Sequence, residues 1–133
     1  MTLDFELQML IAAIVLGFVH LIAASHAASL QRGYRWTAGA RDETLPPLTG
    51  VAGRLARASA NFAETFPYFA ALVLAVEVTG QRDAYSYWGV VLYVGARIAY
   101  LPLYAFGVFL VRSLVWNVAT AGIVLLLVAL LRA

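Results

Sequence analysis

The sequence contains no cysteine. Disulfides, cysteine-ligated metals and a cysteine nucleophile are excluded, so any thiol chemistry must use a thiol supplied by a ligand. Lysine is missing too: all nine basic residues are arginine, a bias that codon usage explains without invoking function. Charge of either sign is scarce. Charged residues make up 12% of the chain and sum to +2, too little to suggest a nucleic-acid partner. No run alternates polar and apolar residues as a barrel strand lining a pore would. No grouping of residues suggests a bound metal. The opening MTLDFE is acidic, unlike the basic start of a cleaved signal peptide, which predicts that the first apolar segment is retained.

What is present is hydrophobic. Of 133 residues, 63% are apolar, and the mean hydropathy is +0.84. A soluble domain this size has a much smaller apolar share, so most of this chain must face lipid or other buried helices. A spanning helix needs about 20 mostly apolar residues. Between Glu6 and Arg32 lie 25 residues without Asp, Glu, Lys or Arg, and between Arg112 and Arg132 lie 19. A single domain over 1–133 is predicted, with spans near 7–30, 57–78, 84–106 and 109–131. Residues 31–56, with Gly33, Gly39, Pro46, Pro47, Gly50 and Gly53, read as a loop around RDETLPP, and TGQRD as a tight turn at Gly80. The fold class is all-α: an integral membrane four-helix bundle, up-down-up-down. Arg32, Arg35, Arg41 and Arg54 crowd the first loop, which predicts that this loop is cytoplasmic and both termini lie outside, in the cell inner membrane.

The polar residues of the spans form a pattern. In RASANFAETF, Arg57, Asn61 and Glu64 have spacing i, i+4, i+7 and share one helical face. Arg97, Tyr100 and Tyr104 do the same at i, i+3, i+7 on the third span. Arg112 opens the fourth span, Asn117 follows, and His26 falls near the same end of the first. Polar groups from all four helices thus converge in one leaflet, while the other half offers only Glu77 near its boundary. A charge at the centre of a membrane helix costs roughly 2.5–3.5 kcal/mol even on gentle scales. One glutamate cannot neutralise three arginines, so the site has positive charge to spare and suits an anionic ligand; the arginine fork matches a carboxylate. Each residue also fits a plainer role. Arg57 and Arg112 suit snorkelling to headgroups, Tyr100 and Tyr104 an interfacial belt, Glu64 a packing salt bridge with Arg57, His20 and His26 helix packing, and Asn61 interhelical bonding.

The segments RASANFAETFPYFAALVL, ARIAYLPLYAFG with VRSLVW, and GARDETLPPLTGVAGR resemble the membrane-associated proteins in eicosanoid and glutathione metabolism, the MAPEG family, in its bacterial branch. The likeness covers about residues 20–117. It implies a homotrimer with glutathione as co-substrate, bound between subunits near the cytoplasmic side. Arg57, Asn61 and Glu64 would hold the tripeptide, with Glu64 facing its amino group, and Arg97, Tyr100 and Tyr104 would contribute from the third helix. Arg112 matches the arginine that stabilises the thiolate, and Arg32 or Arg35 would stand for a first-helix ligand arginine. Thr65 replaces the tyrosine found after the signature glutamate in some eicosanoid enzymes, and Pro102 would bend the third helix.

The implied chemistry is compact. A free thiol has a pKa of about 8.5, and a nearby guanidinium lowers it by roughly one to three units. The thiolate then attacks a lipophilic electrophile or reduces a hydroperoxide that arrives through the bilayer. Two other classes fit a four-span chain: a small multidrug-type exporter using Glu64, against which three inward arginines argue, and a catalytically silent membrane scaffold.

Overall fold

The computed structural model describes residues 2–108 and 110–133. The predicted start of the fourth span, Phe109, lies outside them. Five helices follow in order: α1 (Phe5–Arg32), α2 (Tyr34–Ala38), α3 (Gly50–Thr79), α4 (Ala84–Ala105) and α5 (Val111–Leu131). Four of them, all but α2, are long and apolar enough to cross a membrane. Apolar side chains such as Phe18, Leu21, Ile22, Val78 and Leu114 point outward, so the chain is a multi-pass membrane protein built as a four-helix bundle.

Local chemistry sets the ends. α1 stops at Gly33, whose φ of +96 suits glycine and whose N–H donates to the Ser29 carbonyl at 2.7 Å. Gly80, at φ +69, closes α3. α4 opens with a capping box: Asp83 Oδ1 accepts from the Ser86 N–H at 3.0 Å, and Ser86 Oγ accepts from the Asp83 N–H at 2.9 Å. It then runs through Pro102 to Ala105.

The expected loop over 31–56 is shorter than predicted. It contains α2, and α3 begins at Gly50 rather than Arg57. Gly53 read as a loop marker, but it lies inside α3, where a Cβ would come within 2.8 Å of the Leu48 carbonyl oxygen. Its lack of a side chain lets the chain fold back on the helix start.

The core is a stack of side chains between α1, α3, α4 and α5. Phe69 and Tyr93 stack at 4.0 Å, with Leu10, Ala13, Val73, Val90 and Leu126 buried around them. α4 and α5 meet through glycine. A Cβ on Gly122 would lie 2.6 Å from the Gly89 carbonyl oxygen, and one on Gly89 would lie 2.8 Å from that of Gly122. Small residues here allow the two backbones to touch.

At the end holding the α3–α4 turn, a second polar cluster corrects the expectation that Glu77 stands alone. Arg82 Nη1 pairs with Asp4 at 2.6 Å and Glu77 at 3.1 Å. Buried Glu6 accepts from Ser86 Oγ at 2.6 Å. Sequence reading missed it because its members come from segments far apart in the chain.

Candidate functional site

The opposite end of the bundle carries the predicted site. Arg97, on α4, is fully buried. Its Nη1 donates to Asn61 Oδ1 at 2.6 Å, and its Nη2 donates to Thr65 Oγ at 2.6 Å. The Thr65 hydroxyl also lies 3.1 Å from the Tyr93 hydroxyl. No carboxylate pairs with Arg97 among the described residues; the rings of Tyr100 and Tyr93 lie 5.2 and 5.7 Å from its guanidinium carbon.

Arginine has donors only, so the Asn61 atom facing Arg97 must be the carbonyl oxygen. The amide NH2 of Asn61 is then the group left for the other side. That side is a cavity of about 350 Å³, lined by Asn61 and Glu64 from α3, Tyr100 from α4, and Arg112, Ser113, Trp116 and Asn117 from α5. A second cavity, about 340 Å³, shares Arg112 and Ser113 and adds Tyr104 and Gly107. Arg112 therefore borders both.

Arg57 and Tyr104 sit at the rim. Arg57 Nε donates to the Tyr104 hydroxyl at 2.9 Å, and the Arg112 guanidinium carbon lies 5.7 Å from the centre of the same ring. Tyr100 and Tyr104 stack at 5.4 Å. Arg54 fixes the end of α4 by donating from Nε to the Ala105 carbonyl at 2.9 Å.

The structure thus brings Asn61, Glu64, Tyr100 and Arg112 to one cavity, sets Arg57 and Tyr104 beside it, and places Arg97 behind Asn61. The Arg57–Glu64 salt bridge does not form among the described residues: Arg57 turns to Tyr104, and Glu64 remains exposed. His20 is buried against Phe62 at 4.9 Å. His26 pairs with the Tyr34 hydroxyl at 2.9 Å, away from the cavity. Sequence reasoning treated Thr65 only as a departure and passed over Tyr93. Spacing signalled both, since Thr65 lies four residues after Asn61 and Tyr93 four before Arg97, on the same faces.

Comparison with known protein families matches residues 9–132 to the MAPEG family. The chain belongs to the MAPEG family. No curated protein and no solved structure gave a match. A MAPEG chain is a membrane protein of a family associated with glutathione and eicosanoid metabolism, and the all-helical four-span bundle agrees with that membership.

Proposed function

We propose that this MAPEG chain is a glutathione-dependent transferase or peroxidase acting on lipophilic electrophiles or hydroperoxides. The observation that carries the reading is the pairing of opposite charges around one cavity: the Glu64 carboxylate and the Arg112 guanidinium both line it, and the Asn61 amide NH2 completes the set. Glutathione carries one amino group, two carboxylates and a thiol. Glu64 takes the amino group, while Asn61, Arg57, Tyr100 and Tyr104 take acceptor groups, with Arg97 acting from behind. Arg112 stabilises the thiolate. The working form is a homotrimer, in which a neighbouring subunit covers the exposed Glu64 side of the cavity. The site end faces the cytoplasm of the inner membrane and both termini lie outside.

Calorimetric titration of the detergent-purified protein with glutathione and an S-alkyl analogue tests the reading. Saturable binding of both is expected. Glu64→Gln should weaken both by roughly 10-fold or more, the loss of a charge-assisted hydrogen bond. Absence of binding by the parent protein would sink the reading. Arg112→Ala separates binding from chemistry: affinity should hold, while the pKa of the bound thiol rises by roughly one to three units. Thiolate absorbance near neutral pH would fall with it. An unchanged thiol pKa would return Arg112 to headgroup contact.

A further inference from the structure

The sequence-derived ligand arginines Arg32 and Arg35 do not border the Asn61–Glu64 cavity. They line a different one, about 470 Å³, together with Trp36, Arg41, Asp42 and Glu43. The guanidinium carbons of Arg32 and Arg41 lie 4.9 and 5.4 Å from the centre of the Trp36 ring, so two permanent cations converge on one indole. Arg41 is held there by two bonds from its own guanidinium to the Thr37 carbonyl, at 3.1 and 3.0 Å, with its backbone at φ +60. That φ is unusual for a side-chain-bearing residue and is sustained only by its surroundings. Arg32 Nη2 donates to the Pro46 carbonyl at 3.2 Å. Neither Asp42 nor Glu43 pairs with these arginines among the described residues.

Two donors are left over. Arg32 Nε and Trp36 Nε1 are buried and find no acceptor among the described residues. Buried donors are nearly always satisfied, so a cationic cavity with two orphaned N–H groups is short of acceptor oxygens.

Depth says where they come from. α1 has 28 residues, about 42 Å at 1.5 Å per residue, whereas the hydrocarbon core is about 30 Å thick. Arg32 and Trp36 therefore sit at headgroup level, where tryptophan and arginine anchors collect. Asp42 and Glu43 beside the cavity weigh against a doubly charged free phosphate more than against a singly charged phosphodiester.

We propose that Arg32, Trp36 and Arg41 form a seat for the phosphodiester of an anionic phospholipid. Two non-bridging oxygens would accept from Arg32 Nε and Trp36 Nε1, and the two guanidiniums would supply the charge. The proposal is independent of what fills the cavity at Asn61 and Glu64.

Native mass spectrometry of the full chain, released from detergent with phosphatidylglycerol or phosphatidylcholine, tests it. Phosphatidylglycerol should be retained in preference to phosphatidylcholine. Arg32→Gln and Arg41→Gln should each reduce retention about fivefold, the effect of one interfacial cation. Trp36→Phe keeps the ring, removes the donor, and should also reduce it. Arg132→Gln, at the far end, should not. Circular dichroism confirms that each variant is helical; if Arg32→Gln fails to fold, Arg41→Gln in the loop tests the same claim. Equal retention of the two lipids, or equal losses for Arg41→Gln and Arg132→Gln, would overturn the proposal. Displacement of phosphatidylglycerol by an equal concentration of inorganic phosphate would overturn it in favour of a soluble anion.

Discussion

Asn61→Asp is expected to leave the protein folded and weaken glutathione binding about 100-fold. The substitution is nearly isosteric. The aspartate would keep an oxygen against Arg97 Nη1, now 2.6 Å from Asn61 Oδ1, and give that buried guanidinium the carboxylate it lacks. Thermal stability in detergent should hold or rise. On the cavity side, however, the NH2 donor becomes a second oxygen close to Glu64. A ligand acceptor loses a bond and meets a like charge, which together cost roughly 3 kcal/mol or about 100-fold in affinity. Asn61→Leu should do the reverse to stability. It removes the oxygen that Arg97 uses and leaves a buried guanidinium short of a partner, at a cost of roughly 2–3 kcal/mol. Thermal unfolding and calorimetry on the same preparations separate the two. If Asn61→Asp binds glutathione like the parent, the Asn61 amide does not face the ligand.

Gly122→Val should separate α4 from α5. A Cβ there meets the α4 backbone at two atoms, 2.6 Å from the Gly89 carbonyl oxygen and 2.8 Å from the Tyr93 nitrogen. Neither can swing away as a long side chain would. Overpacking at such a contact costs roughly 3 kcal/mol or more. Because Tyr100 lies on α4 and Arg112 on α5, the cavity should widen with the loss of stability. Gly95→Ala, on α4, is the control: a Cβ there meets nothing within 4 Å. It should be neutral or stabilise α4 by up to about 1 kcal/mol. Denaturant titration in detergent reads both. Equal effects at Gly95 and Gly122 would mean that helix propensity, and not the crossing, governs these positions.

The spans were legible because apolar length is a one-dimensional signal, and residues 7–31 and 113–131 contain no Asp, Glu, Lys or Arg. The faces of α3 and α4 were legible because helical periodicity is fixed by geometry. Depth and partner were not. Spacing groups Arg97 with Tyr100 and Tyr104, but it cannot say that Arg97 is wholly buried and directed at Asn61 and Thr65. Glycine was the least readable residue. Gly50 and Gly53 suggested a loop yet belong to α3, while Gly89 and Gly122, unremarked in the sequence, let α4 and α5 approach backbone to backbone. A missing side chain signals either a turn or a contact, and only the neighbouring backbone distinguishes them.

The Glu6–Ser86 bond has a consequence for how the chain is made. The two residues are 80 positions apart. At roughly 5–20 residues per second, α1 waits on the order of ten seconds after leaving the ribosome before its partner is synthesised. Asp4 waits similarly for Arg82. During that interval the leading helix carries two uncovered carboxylates at its tip, and they are best accommodated by water rather than lipid. A chain released before the α3–α4 turn is complete keeps them uncovered. Incomplete products therefore differ from finished ones in the chemistry at the start of α1, and translation through Ser86 is the step that removes the difference.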